Sequence, residues 1–369
     1  MKSLFTMDIK NYAESDVPVC RSLARAVIET EDGKLAMVYS RKYQYYKFPG
    51  GEICGNEDKK KALIREVRRE TGLAVKKDAV REYGSVLCLQ KSEEQGNTFS
   101  RQEDFYYICT AETIGEQKVK ECGEETEFEL QYVCAIDAIA VNKACALEDD
   151  FALVMLAGDT EVLELFSGAA PEPSVFMADF LLRTAVKSNP GVWEQHSRYV
   201  AESAGRIAGL CPGMDAEKAY VYGMLHDIGR KFGVTYLAHV YDGYHYLLDL
   251  GYGNAAGIAL SHSFHLKDIN DYIGKFDISE TAQEEIKALL AEKEYNDYDY
   301  LIQLCDGIAK ADGIVSLEER MNDVKSRYGH YPQKKWERNM QLKEYFEEKM
   351  HENLYTAVGV SSAVLPAAE

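Results

Sequence analysis

Glu66 and Glu70 lie four residues apart in GEICGNEDKKKALIREVRRETGL, residues 51–73, where charged and apolar residues mix at helical spacing. On a helix the two side chains project from one face. Two stacked carboxylates beside a glycine-rich loop, YYKFPGG at 45–51, make a hard, oxygen-rich pocket suited to Mg²⁺ or Mn²⁺, which can in turn hold a diphosphate. Such an ion screens the phosphate charge and lowers the pKa of a bound water, so that attack on phosphorus becomes feasible near neutral pH.

A second set lies far downstream. Six of the eight histidines fall between residues 196 and 265. His196 is in helical register with Val200, Ser203 and Ile207, which turns its ring toward a packed interior. His226 and Asp227 end another largely apolar helix in the run LHDIG, and Asp306 sits among apolar neighbours in YLIQLCDGIAKAD. A buried carboxylate there is costly unless it is paired or bound to metal.

The elements that must position these groups divide into two textures. Residues 22–29 and 34–39 are β-prone runs around the turn TEDGK and predict a hairpin. A helix is expected from Glu57 to Thr71, burying Ala62, Leu63 and Val67 and stopped by Gly72. Strands return at 83–90, 104–110 and 128–134, a mixed sheet interrupted by a helix. SGAAPEPS at 167–174 marks a boundary, and beyond it helices are expected at 192–210, 216–232, 278–293, 298–312 and 334–355, with a loose tail in SSAVLPAAE.

Composition narrows the function. A chain of 369 residues suits two domains at roughly 100–200 residues each. The first residues do not read as a signal peptide, and no run reaches the ~18 apolar residues of a membrane-spanning helix. Nine cysteines without a CxxC pair indicate neither a zinc knuckle nor a disulfide framework, which fits a reducing cytoplasm. A net charge of −19 argues against a broad grip on extended nucleic acid, although divalent metal can still bridge an acidic protein to a small polyanion. No GxSxG elbow, GxxxxGK[ST] loop or GxGxxG fingerprint occurs, so serine hydrolysis and ATP-driven work have no support.

The spaced pattern Gly51, Glu57, Arg65-Glu66-Val67, Glu70, Gly72-Leu73 resembles the Nudix hydrolase box, and the likeness extends over about residues 18–165, including FPGG and LQYVCAIDAIA. The resemblance implies that Glu66 and Glu70 ligate metal, that Arg65 orients the acids, and that Glu57 and Gly51 shape the loop. It also implies an added carboxylate from a later segment, for which Glu103 and Asp104 are the candidates. Arg69 departs from the family, which has a metal-ligating glutamate there; Cys54 and Gly55-Asn56 depart as well. Two outcomes stay open. Arg69 can bind phosphate bidentately in place of a metal ion, or it can pair with Glu66 and occupy a needed ligand.

His196, His226-Asp227 and Asp306, in that order on successive helices, resemble the HD-domain phosphohydrolases over about residues 175–330, with HDIGR matching the central motif. The resemblance implies that these four bind a divalent metal, with Asp227 central to catalysis. Some members hold a second ion through two more histidines; His239 and His262 are the candidates, with His245 and His265 as rivals. Arg230 and Lys231 follow directly and are placed to meet substrate phosphate.

The expected protein is an α+β two-domain hydrolase: a Nudix α/β/α sandwich over 1–166, a linker at 167–174, an all-α HD domain over 175–350 and a tail at 351–369. The Nudix half is expected to cleave a diphosphate link with Mg²⁺ or Mn²⁺, and the HD half a phosphate ester or anhydride with one or two ions such as Mn, Fe, Co or Zn. The substrate is a small-molecule nucleotide, no membrane is involved, and a homodimer is in keeping with small Nudix domains. Two alternatives remain: a Nudix module that senses a nucleotide and regulates an active HD enzyme, and an HD nuclease.

Overall fold

The computed structural model describes residues 1–92, 96–113 and 128–360. Contacts divide the chain into two compact units, Met1–Met177 with Asp249–Gly251, and Ala178–Leu248 with Tyr252–Glu369. The first runs β1 (Ser3–Asp8), β2 (Val17–Ile28), β3 (Leu35–Ser40), β4 (Tyr45–Lys47), β5 (Gly50–Glu52), α1 (Lys59–Thr71), β6 (Leu73–Val75), β7 (Arg81–Lys91), β8 (Thr98–Cys109), β9 (Ala111–Thr113), β10 (Phe128–Val133), α2 (Ala135–Ala144) and α3 (Asp150–Phe166).

Its main sheet has the order β1-β7-β8-β2-β5. Strand β8 runs parallel to β2 from Val17↔Thr98 to Ile28↔Cys109 and antiparallel to β7. Alternation sends Ala24, Ala26, Ile28, Phe105, Tyr107 and Cys109 to one face, where Leu63 and Val67 of α1 cover them. Asp58 caps α1, accepting from Lys61 N at 3.1 Å, so the helix starts two residues later than expected; Gly72, at φ 75°, ends it as expected.

The expected hairpin is corrected. The turn closes, with Thr30 N donating to Lys34 O at 2.8 Å, but β2 and β3 share only the bridge Glu29↔Leu35. Both edges of β3 are taken by β10 and β4 in a second sheet, while β2 lies between β8 and β5.

The second unit is helix-rich: α4 (Val175–Ser188), α5 (Trp193–Leu210), α6 (Ala216–Leu225), α7 (Ala238–Asp249), α8 (Gly253–Ser261), α9 (Glu280–Glu292), α10 (Asp297–Asp306), α11 (Leu317–Tyr328), α12 (Gln333–Met350) and α13 (Leu354–Ala357). It is not purely helical, because β11 (Ala309–Lys310) and β12 (Gly313–Ile314) form a short antiparallel ladder after α10. The helix expected over 216–232 ends at Leu225 and gives way to a 3₁₀ turn, Ile228–Phe232. Gly229 in that turn meets α7 so closely that a β-carbon would lie 1.9 Å from the His239 carbonyl oxygen.

The expected tail also changes. His351 turns the chain at φ 56°, Asn353 caps α13, and Leu354 and Tyr355 are buried, so apolar side chains hold residues 351–360 in the fold. SSAVLPAAE, 361–369, lies outside the described residues.

Candidate phosphohydrolase sites

In the first unit α1 and the Gly50-Gly51 turn bring the carboxylates together. Glu66 is buried, and a β-carbon on Gly51 would lie 2.5 Å from its Oε2, so a side chain there would displace the Glu66 carboxylate. The Glu66 carboxylate is held on both sides, by Arg65 on Oε1 and by Arg69 on Oε2. Arg65 also grips Glu57, at 3.0 and 2.7 Å, and donates to the Glu52 carbonyl at 3.0 Å. These Arg65 contacts hold the Glu57 carboxyl below its usual range. Glu70 accepts from Gly50 N at 3.0 Å and pairs with Lys47 at 2.7 Å. Of the two readings of Arg69, this geometry has the pairing with Glu66.

Asp104 does not join them, and Glu103, on the same face of β8 as Phe105, has no ion pair to Arg65, Arg69 or Lys47. Successive residues of β8 face opposite ways, and Phe105 points at α1, so Asp104 points away from it, both its carboxylate oxygens accepting from Gln102 Nε2 at 3.1 Å. Burial, then the nearby Asp159, pushes the Asp104 carboxyl up to about 6 against the pull of Arg25.

In the second unit the ligand-type atoms meet each other. His196, on α5, places Nε2 3.0 Å from Asp306 Oδ1 at the end of α10 and 3.3 Å from His226 Nε2. Asp227 Oδ1 lies 3.1 Å from His239 Nε2 and 3.6 Å from His262 Nε2. Two sets result, His196-His226-Asp227 and Asp227-His239-His262, and Asp227 belongs to both. They are the groups of three such residues with converging donor atoms among the described residues.

Backbone carbonyls orient the rings. Nδ1 of His226, His239 and His262 each faces the carbonyl three residues back: Gly223 at 2.7 Å, Tyr236, and Ala259 at 2.8 Å. A carbonyl only accepts, so each Nδ1 carries the proton and each Nε2 presents a lone pair. Burial lowers the pKa of His226 and takes that of His262 down to about 3. Burial works to raise Asp227, but Arg230, His239 and His226 override it and hold the carboxyl well below its usual range. Near pH 7 His226 and His262 are therefore neutral and Asp227 is ionised.

The NUDIX domain family matches residues 21–152 and the HD domain family residues 193–311. The chain carries a Nudix domain followed by an HD domain. Both are hydrolase families acting on phosphate linkages. Among solved structures the chain is similar to a mutator MutT protein from Bacillus halodurans, at 17% identity over 38% of this chain and 84% of that one, TM-score 0.27. It is also similar to a MutT NUDIX hydrolase from Burkholderia pseudomallei, at 16% identity over 38% of this chain and 98% of that one, TM-score 0.27. No curated protein matches the chain. No helix among the described residues is long and apolar enough to cross a membrane.

The HD cluster fits a divalent cation. Asp227 Oδ1 is buried without a hydrogen bond, and the facing Nε2 atoms of His196 and His226 leave at least one lone pair aimed into the cluster. Of the rival histidines, His245 pairs with Glu285 at 3.1 Å and His265 lies toward Asp271, so neither joins the cluster.

The HD cavity, about 740 Å³, is lined by His196, Asp227, His239, His262 and Asp306 and also by cations. Arg230 is among them, with Nε 2.6 Å from Asp227 Oδ2. Lys231 is corrected: the 3₁₀ turn sends it into the interior, 4% exposed and toward the Tyr246 ring, and it does not line this cavity. Lys310, Arg320 and Arg327 line it instead. Arg320 and Arg327 are seven residues apart on α11 and so share a helix face, a signal present in the sequence but far from the motif residues.

Proposed function

We propose that the HD domain is the working hydrolase of this chain, cleaving a phosphate ester or anhydride of a nucleotide, and that the Nudix domain binds a nucleotide and regulates it. The observation that carries this reading is the contrast at the two carboxylates: Asp227 joins two sets of histidine ligands, whereas Glu66 is held between two guanidinium groups.

His196, His226, Asp227 and Asp306 would hold one ion, and Asp227, His239 and His262 a second. Imidazole with carboxylate suits Mn, Fe, Co or Zn. A bound divalent cation supplies a Lewis acid and lowers the pKa of water toward neutrality. The chain's own part is to hold the Nε2 lone pairs in place through the Nδ1 contacts and to keep Asp227 ionised. Arg230, Lys310, Arg320 and Arg327 offer a phosphate-bearing substrate charge and directional donors. In the Nudix domain, Mg²⁺ or Mn²⁺ at Glu66 and Glu70 would have to displace Arg69 and Lys47. A reducing compartment such as the cytoplasm suits the described cysteines, which are free.

The test is product analysis by anion-exchange chromatography of a nucleotide panel with Mg²⁺ or Mn²⁺, comparing wild type, Glu70→Gln and Asp227→Ala. Asp227→Ala is expected to remove turnover and Glu70→Gln to leave it. Loss of nucleoside monophosphate release in Glu70→Gln would make the Nudix domain an enzyme in its own right and overturn the regulatory reading.

A further inference from the structure

Beside the ligand cluster of the HD domain lies an annex of about 120 Å³ that shares Ser263, Tyr272, Asp306, Arg320 and Val324 with the larger cavity. His265 lines it, its side chain 5% exposed, and neither ring nitrogen makes a hydrogen bond. Asp271 Oδ2 is 4.0 Å from Nδ1, and Asn339 lies beside the ring without the geometry of a full hydrogen bond. Burial, reinforced by the charge of Lys335, pushes the His265 pKa well below its usual range, so the ring is neutral and offers one N–H and one lone pair.

The annex offers an anion little of its own: Arg320 is shared with the larger cavity and pairs with Asp323 at 3.4 Å. Its buried lysine, Lys335, is engaged by the Ser263 carbonyl at 2.7 Å, the Asp271 carbonyl at 3.0 Å and Asp271 Oδ2 at 3.5 Å. Tyr331 accepts from Asn339 Nδ2 at 3.1 Å and so keeps its own hydroxyl proton to donate. Ile273, Met321 and Val324 supply apolar wall. A neutral, flat ring with donors and acceptors on its edge matches this lining: unmet buried polar groups beside apolar surface are what a nucleobase satisfies. Size narrows the choice, because a cavity of ~150 Å³ holds benzene. The annex, about 120 Å³ and open to the larger cavity, is on the scale of one six-membered ring rather than a fused pair.

We propose that the annex is the base subsite for a pyrimidine nucleotide, with His265 and Tyr331 meeting the base edge while the cations of the adjoining cavity face the phosphate. This rests on the reading that the HD cavity receives a nucleotide, and it makes pyrimidine nucleotides the preferred substrate class.

The experiment is equilibrium binding by titration calorimetry to the full-length protein in chelator, with UMP, CMP, AMP, GMP and ribose 5-phosphate as probes. The proteins are wild type, His265→Ala and Val324→Phe, the last filling the annex mouth from the half-buried face of α11. UMP or CMP is expected to bind at least tenfold more tightly than AMP and GMP, and each variant to weaken that binding about tenfold, with His265→Ala leaving ribose 5-phosphate unchanged. Thermal unfolding checks that each variant is folded; if His265→Ala is not, Val324→Phe decides. Equal or tighter purine binding, or wild-type UMP and CMP binding in the folded variants, overturns the subsite. Because binding in chelator needs no turnover, this result is separate from the activity loss in Asp227→Ala that tests the proposed function.

Discussion

Glu66 and Asp227 are both buried carboxylates at the centre of a polar cluster, and their neighbours differ in kind. Glu66 meets two permanent cations, Arg65 and Arg69, and Arg65 reaches on to Glu57. Asp227 meets one cation, Arg230, on Oδ2 and the imidazoles of His239 and His262 on Oδ1. A carboxylate already paired with guanidinium has its charge matched, so a metal ion must first break a charge-assisted pair. Asp227 spends only Oδ2 on its pair with Arg230, and Oδ1, shared between two sets of imidazoles, stays without a hydrogen bond until a cation arrives. The two domains match hydrolase families with similar chemistry, yet among the described residues only the HD domain presents three ligand-type side chains whose donor atoms converge on each other.

The strongest way to break the comparison is Asp227→Ala. It takes a ligand from both sets at once, so bound metal measured by elemental analysis is expected to fall to background and phosphate release to drop by ~10³-fold or more. Retained metal and turnover would mean that the histidine cluster is structural. Arg69→Glu tests the other side. Replacing a cation that grips Glu66 with a third carboxylate is expected to raise Mn²⁺ affinity by about 100-fold in an Asp227→Ala background, followed by electron paramagnetic resonance. Unchanged Mn²⁺ binding would show that Arg69 is not what keeps the Nudix carboxylates from metal.

Protonation separates the domains with opposite signs. His262 titrates near 3 in the fold and near 6.5 when unfolded, so its contribution to stability is complete above pH 6.5 and is lost as pH falls toward 3. At ~1.4 kcal/mol per pH unit this amounts to about 2 kcal/mol between pH 6.5 and 5. Asp104 titrates near 6 in the fold and near 3.8 unfolded, so its contribution is complete below 3.8 and is lost as pH rises through 6. In chelator, thermal unfolding is expected to show the HD transition moving down between pH 7 and 5 while Asp104 favours the Nudix transition over the same change. Asp104→Asn, which mimics the protonated acid, is expected to stabilise the Nudix transition above pH 6 by about 3 kcal/mol and to flatten its pH response. A destabilised variant at pH 7 would mean that the charge of Arg25 depends on Asp104 more than burial penalises it.

What the sequence revealed follows the range of the interactions. Helix α1, its stripe of Ala62, Leu63 and Val67 and its stop at Gly72 are local matters of period and φ, and they appear in the structure. The set His196, His226-Asp227, Asp306 was readable through its resemblance to the HD phosphohydrolases, with burial on apolar helices as the local hint, and the structure brings these four together with His239 and His262. Other features depend on contacts between distant segments. The edges of β3 are claimed by β4 and β10, which no turn signal at residues 30–34 encodes. Lys231 points inward because the Gly229 turn packs on α7. Arg320 and Arg327 enter the cavity from a helix that begins beyond the matched HD residues. The choice between the two readings of Arg69 likewise required knowing where Glu66 points.

The smallest test compares the two helix caps that support these sites. Asp58 accepts from Lys61 N at the start of α1, which carries Glu66 and Glu70, and Asp215 accepts from Glu217 N at 2.9 Å and Lys218 N at 3.0 Å at the start of α6, which leads into His226. Each leaves backbone donors unmet when replaced by alanine, at a cost of about 1 kcal/mol. Asp58→Ala is expected to lower only the Nudix transition and Asp215→Ala only the HD transition. Their effects on chemistry should differ. Loosening α6 disturbs the approach of His226 to His196 and should raise the metal concentration needed for half-maximal turnover, whereas loosening α1 disturbs a pair of carboxylates already held by Arg65, Arg69 and Lys47 and should leave it unchanged. Equal shifts in metal requirement from both caps would place working metal in both domains and remove the distinction between Glu66 and Asp227.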